Sequence, residues 1–334
     1  MMTRRARRRT WIVLGLLAVP FLVEGALTGA MVLLGKQRGV KYHENYGWRP
    51  YANIARSGPM WGRDRPAHTN SAGWRDAERR LDRAEKDAAT TLRVAAIGDS
   101  FTFGVGVDDG ERFTEMIEAD LPAVEVLNFG MNGFGTDQEL EVLRHEVLDY
   151  RPDVVLCVTY LGNDLLDITH SVRHRWPKPR YELVDGALRL QPPEADFLLR
   201  LRSATYIGEA ISLLRRRLGQ EQSQVQEPCE DPLALYLALV EAMVRAAEGG
   251  GARLVVTLVH EPDIDSDLAL AVRAGLAERG VPMIDLEPSF TASMAAGDVL
   301  FNPPPVAHWN VRGHRLVATE VAEGLRRLGV LPGQ

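Results

Sequence analysis

Five short apolar runs, Arg93–Ile97, Val124–Asn128, Asp153–Tyr160, Arg253–His260 and Val281–Leu286, recur along the last two thirds of the chain. Each has the length and composition of a strand buried on both faces. Between them Glu111–Asp120, Asp137–Asp149, Pro232–Ala247 and Leu268–Arg279 repeat their apolar residues at helical spacing, and Val311–Leu328 closes the chain in the same way. Strand and helix alternating five times predict a parallel sheet covered by helices on both faces. A functional site is then expected at the carboxyl ends of the strands. At 334 residues and 46% hydrophobic, the chain has ample core-forming material, which excludes disordered, collagen-like and disulfide-framework proteins.

Arg4, Arg5, Arg7, Arg8 and Arg9 precede a nearly unbroken apolar stretch from Trp11 to Gly35, interrupted by Pro20 and Glu24. The stretch is about as long as a bilayer crossing requires. It is read as a transmembrane signal-anchor over residues 11–35 after a basic cytoplasmic tail, residues 1–10. The competing reading is a cleaved signal peptide ending near Thr28-Gly29-Ala30. Either way the Arg cluster stays inside and the remaining chain is exported. Glu24 is costly in mid-membrane, so it marks a helix partner or a neutral carboxyl. These 35 residues hold five of the 39 basic and one of the 45 acidic residues, leaving the body with 34 and 44, a net of −10. An acidic body without a clustered basic face argues against a nucleic-acid partner.

Residues 36–91 form an exported lead-in, with Trp48, Trp61 and Trp74 suggesting irregular segments laid on a larger body, and Ala77–Lys86 a solvated helix or linker. The alternation breaks at residues 170–231, an insertion or lid within the main domain (residues 92–330). There Tyr181–Val184, Asp185-Gly186 and Ala187–Leu190 predict a hairpin with a primed turn, followed by a helix over Tyr206–Arg217. Of the two cysteines, Cys157 lies mid-strand, where it reads as a small buried hydrophobe, and Cys229 in a polar linker; export leaves a disulfide between them chemically possible. No His/Cys cluster has zinc spacing and no Asp-rich loop suits calcium, so no metal is implied. No cofactor is called for either.

The first strand runs into Gly98-Asp99-Ser100, placing a hydroxyl at the exit of a central strand beside backbone N–H groups able to hold an oxyanion. The structural alternative is a serine that serves a turn or caps the next helix. Gly98, Gly104 and Gly106 do not have the spacing of a dinucleotide fingerprint, and no phosphate-loop Lys follows. The second strand ends in a loop holding Gly133, where backbone can approach a ligand closely, and the third in Gly162-Asn163-Asp164, where the Asn163 amide can donate to developing negative charge. His308 lies in a Pro-rich loop before the last helix, with Asn310 as its N-cap, and is assigned as general base. His314 falls inside that helix and reads as a packing or solvent-facing residue.

These four blocks, in order within residues 92–330, resemble the SGNH (GDSL-type) hydrolase family. The segment Thr69-Asn70-Ser71-Ala72-Gly73-Trp74-Arg75-Asp76 is also similar to the lead-in of its exported, membrane-anchored members. The resemblance implies a flavodoxin-like three-layer α/β/α domain with strand order 2-1-3-4-5, acting through an acyl-enzyme on esters, often O-acetyl groups of carbohydrates. It implies that Ser100 attacks, that His308 removes its proton, and that the N–H groups of Ser100 and Gly133 with the Asn163 amide hold the oxyanion.

One departure is plain. The family carries an acid two or three positions before the His, and this chain reads Pro305-Val306-Ala307-His308. Three readings follow: a Ser-His dyad with a backbone carbonyl orienting His308; a distant replacement acid such as Asp298; or a weak or inactive relative that binds glycans. An O-acyltransferase passing the acyl group to a sugar hydroxyl would use the same residues. The expected partners are therefore an acylated small molecule or glycan and the membrane.

Overall fold

The computed structural model describes residues 4–34, 38–58, 61, 64–81, 92–222, 224–259 and 266–331. Part of the Ala77–Lys86 stretch, Gly35 and His260 lie outside them. The five apolar runs form one parallel sheet: β1 (Leu92–Gly98), β2 (Val124–Gly130), β3 (Val154–Tyr160), β4 (Arg253–Val259) and β5 (Met283–Asp285). Its order is β5-β4-β3-β1-β2, the expected 2-1-3-4-5 arrangement.

The sheet separates two cores by simple alternation. Ala95, Ile97, Val155 and Cys157 point to one face, whereas Val94, Ala96, Val154 and Leu156 point to the other. A strand covered on both faces needs apolar residues in both registers, which is why these runs show no polar alternation. The N-terminal helix α1 spans Arg4–Leu33, α2 is the single turn Ser100–Phe103, and α3 is Phe113–Asp120. Next come α4 (Thr136–His145), α5 (Asp164–Asp167), α6 (Phe197–Ala204), α7 (Tyr206–Arg217) and α8 (Pro232–Gly249). The chain ends with α9 (Ser266–Glu278), α10 (Glu287–Ala295) and α11 (Val311–Arg327). Helices α4, α8 and α9 cover the first face, and α3, α10 and α11 the second.

The lead-in is more ordered than its composition suggests. Val40–His43 pairs with Gly47–Pro50, and Trp48 and Trp74 are buried in the first core. The hairpin of the insertion forms with Asp185 and Gly186 both at positive φ, as a type I′ turn requires. The insertion also holds α6 and a three-stranded sheet of His170–Arg173, Trp176–Pro177 and Val225–Gln226. Those strands are too short and too polar to register as an apolar pattern. Cys157 and Cys229 are both free thiols. Among the described residues, no group of three or more His, Cys, Asp or Glu is placed to hold a metal ion.

Candidate active site

Register brings the candidate residues to one edge. Gly98 of β1 lies opposite both Gly130 of β2 and Val158 of β3, so the loops that follow these strands open side by side. At Gly130 a Cβ would lie 2.3 Å from the Phe103 nitrogen, and its absence lets α2 sit directly against β2.

Ser100 opens α2 and is almost buried. It does not cap the helix, because Asp99 accepts from the Phe101 N–H at 2.9 Å. The hydroxyl is thus free of that structural duty. It lies 2.7 Å from His308 Nε2, while the Asp99 carboxylate stands farther off at 3.3 Å. His308 Nδ1 meets the backbone carbonyl of Val306. A carbonyl only accepts, so Nδ1 carries the proton and Nε2 presents its lone pair to Ser100. The loop is held in turn: Asn302 N donates to the His308 carbonyl at 2.7 Å, and Asn302 Nδ2 donates to Gly106 and Trp309 carbonyls. Asn310 caps α11 by accepting from the N–H groups of Arg312 and Gly313. The imidazole also packs on the Phe101 ring, centroids 4.8 Å apart.

Asp298, the possible replacement acid, is engaged elsewhere. Its carboxylate accepts from Ser293 Oγ at 2.7 Å and pairs with Arg312, and the Nδ1 position it would need is filled by Val306. Asn163 lies beside Ser100 through a shared partner: its Nδ2 donates to Asp99 Oδ2 at 3.4 Å. Gly133 adopts φ +77°, and a Cβ there would lie 2.4 Å from His174 Nε2. His314 is buried and accepts from the Phe113 N–H. Burial holds its pKa near 3, which keeps it a neutral packing group.

The sequence motifs assigned no role to three residues of this region. His174, from the insertion, abuts Gly133; burial followed by the Arg173 charge lowers its pKa to about 4, so it stays neutral at neutral pH. Asp99 is fully buried, and desolvation raises its carboxyl above the ordinary range against the opposing Phe101 N–H and His308. Arg75, in the lead-in, reaches the far end of α2. Its guanidinium donates to the carbonyls of Phe103, Gly104 and Val107 and pairs with Asp109 at 2.9 Å. A cation at a helix C-terminus satisfies carbonyls that have no partner of their own.

The sequence profile of the GDSL-like Lipase/Acylhydrolase family matches residues 96–316, about two thirds of the chain. The chain belongs to that family. Similar solved structures include a member of the lipolytic G-D-S-L family from Veillonella parvula, at 17% identity and TM-score 0.44, covering 71% of this chain and 100% of that one. A lipase/acylhydrolase from Enterococcus faecalis shows 16% identity and TM-score 0.42, with 73% and 100% covered. An acetyl xylan esterase, AlAXEase, shows 14% and 0.43, with 70% and 100% covered. No match was found among curated proteins.

Proposed function

We propose that the protein is an exported, membrane-anchored serine ester hydrolase in which Ser100 and His308 act as a dyad. The observation that carries this reading is the 2.7 Å contact between Ser100 Oγ and His308 Nε2, with Nδ1 engaged by the Val306 carbonyl. Ser100 Oγ attacks the acyl carbon while its proton passes to Nε2, and the oxyanion is met by the N–H groups of Ser100 and Gly133 and the Asn163 amide. Collapse expels the alcohol, which takes the proton from Nε2, and water then attacks the acyl-enzyme by the same route. The Val306 carbonyl orients the ring and offsets part of the imidazolium charge, a task the family gives to a carboxylate.

The substrate reading is an O-acetylated carbohydrate or a comparably small ester. It is supported by a cavity of about 140 Å³ lined by Trp48, Trp61, Phe103, Met131, His174 and Trp176. Its volume suits a short acyl group or part of one sugar ring, and flat aromatic faces suit a sugar's C–H faces. The reading of export and orientation is supported by α1. Its segment Trp11–Leu33 is long and apolar enough to cross a bilayer, and the five preceding arginines hold its start inside.

The test is labelling by a fluorophosphonate together with p-nitrophenyl acetate turnover. Wild type is expected to label and turn over, and Ser100→Ala to do neither with an unchanged melting temperature. His308→Ala should lose at least about 10³-fold in kcat. Equal turnover by wild type and Ser100→Ala would remove the hydrolase reading.

A further inference from the structure

Helix α7 is built inside out. Its buried positions are only Tyr206, Gly208 and Ser212, and Ser212 donates to Glu221 at 2.7 Å and accepts from Arg175 at 3.2 Å. Its outward side carries Ile211 and Leu214, with Leu213 beside them, and Leu218 follows as its C-cap four residues after Leu214; all are exposed. Leu214 is 57% and Leu218 62% exposed, and Phe197 at the start of α6 is 75% exposed. A helix packed on a water-soluble domain shows the reverse pattern, and an apolar stripe of this kind marks a contact with something apolar.

The occupant is indicated by α1. Along residues 11–34 every residue is exposed except Glu24 and Met31. Glu24 is joined to α7: its carboxylate accepts from Tyr206 N at 2.7 Å and from Ile207 N at 3.0 Å. Thr205 Oγ1 accepts from the Gly208 N–H at 2.9 Å, so the first three N–H groups of α7 are all satisfied, two of them by α1. The otherwise costly acidic residue of the apolar helix therefore neutralises a helix N-terminus, the pairing that the helix dipole favours. Glu24 precedes Leu33 by nine residues, about 14 Å at 1.5 Å per residue. Twelve residues make α7 about 18 Å long, and its last turn holds Arg215, Arg216 and Arg217. Those lengths are commensurate with an α7 whose start lies in the hydrocarbon and whose arginines reach anionic headgroups.

We propose that the outward stripe of α7, with Phe197, lies in the outer leaflet of an anionic phospholipid bilayer against α1, holding the candidate active site at the membrane surface. The inference rests on reading α1 as membrane-spanning. The insertion links this surface to the site: in the His170–Trp176 hairpin, Arg175 pairs with Glu221 beneath α7 while the preceding His174 abuts Gly133.

The test uses the full chain with Cys229→Ser, Cys157 being buried, reconstituted in vesicles of phosphatidylethanolamine and phosphatidylglycerol. Nitroxides are placed by Leu17→Cys on α1, Leu214→Cys on α7 and Arg189→Cys on the exposed hairpin, and collision rates with oxygen and a water-soluble nickel chelate are compared. Oxygen collisions should dominate at positions 17 and 214 and nickel collisions at 189. Glu24→Ala should shift position 214 toward nickel and leave 17 unchanged. Nickel-dominated collisions at 17 would remove the spanning reading itself. Oxygen at 17 with nickel at 214 would overturn the proposal while leaving that reading intact. Shielding of 214 from both reagents, with a cross-linked dimer, would assign the stripe to a second copy and equally overturn it.

Discussion

Much of the candidate chemistry turns on one atom, the Val306 carbonyl oxygen. It accepts from His308 Nδ1, so it selects the tautomer that a carboxylate selects elsewhere, with partial rather than full negative charge. Val306→Asp would supply an acid at the family's position, but its side chain starts from the wrong place: a Cβ at Gly106 would lie 2.7 Å from Val306 Cγ1, so this side chain faces Gly106, while the carbonyl faces the imidazole. The expected outcome is no gain, with kcat for p-nitrophenyl acetate within about threefold of wild type. A tenfold rise would show that the carboxylate displaces the carbonyl and that the native dyad is a weakened triad. Ser100, Gly133 and Asn163 stood out as candidates because each follows a sheet strand in a short, ordered motif, and His308 because it lies in the loop that opens the last helix. What orients His308 was not legible, since a backbone carbonyl has no residue identity. His174 was illegible for another reason: nothing in the 62 residues of the insertion tells which of them folds back onto Gly133.

At the scale of elements, the five strands and the helices between them were legible because burial on both faces leaves a pattern of its own. The lead-in was only half legible. Its tryptophans signalled packing, but Arg75, within the lead-in motif, had no role assigned to it and is completely buried. Burial lowers its pKa to about 10 and the Arg112 charge adds to that, while Asp109 opposes both; it stays charged at neutral pH. Because α2 has only four residues, its own hydrogen bonds hold it weakly, and Arg75 fastens its far end to a segment 28 residues earlier in the chain. Arg75→Ala leaves three carbonyls without their charged donor and should cost about 2–4 kcal/mol, measured by denaturant unfolding. Well below the melting temperature, kcat should fall about tenfold with KM nearly unchanged, since Ser100 and His308 lose their common register without losing the substrate cavity. An unchanged kcat would limit Arg75 to folding.

For the molecule as a whole, the unusual feature is a group of carboxyls sunk beneath the carboxyl edge of the sheet. Glu139 and Asp164 are fully buried, and desolvation raises both well above the carboxylate range, followed by the charge of Asp99 for Glu139 and by those of Glu139 and Asp99 for Asp164. Asp167 is raised to about 7, chiefly by desolvation, with Arg173 and Lys178 pulling it down. In the unfolded chain such groups titrate near pH 4. Between that pH and their folded values the native state holds protons that the unfolded state has released, so stability falls as pH rises through this window. Asp109 and Glu115 act in the opposite sense: Arg75 and Arg112 hold Asp109 low, Arg112 holds Glu115 low, and their contribution is lost only on acidification below the usual carboxylate range. The melting temperature of the full-length protein in detergent is therefore expected to peak near pH 5 and to decline steadily toward pH 8. Each pKa unit corresponds to about 1.4 kcal/mol, so Asp167 alone accounts for a few kcal/mol of the decline. Asp167→Asn, which keeps the shape and removes the charge, should flatten the profile between pH 5 and 7 and raise the melting temperature at pH 8. A variant as pH-dependent as the wild type would mean that Arg173 and Lys178 already hold Asp167 ionised across this range.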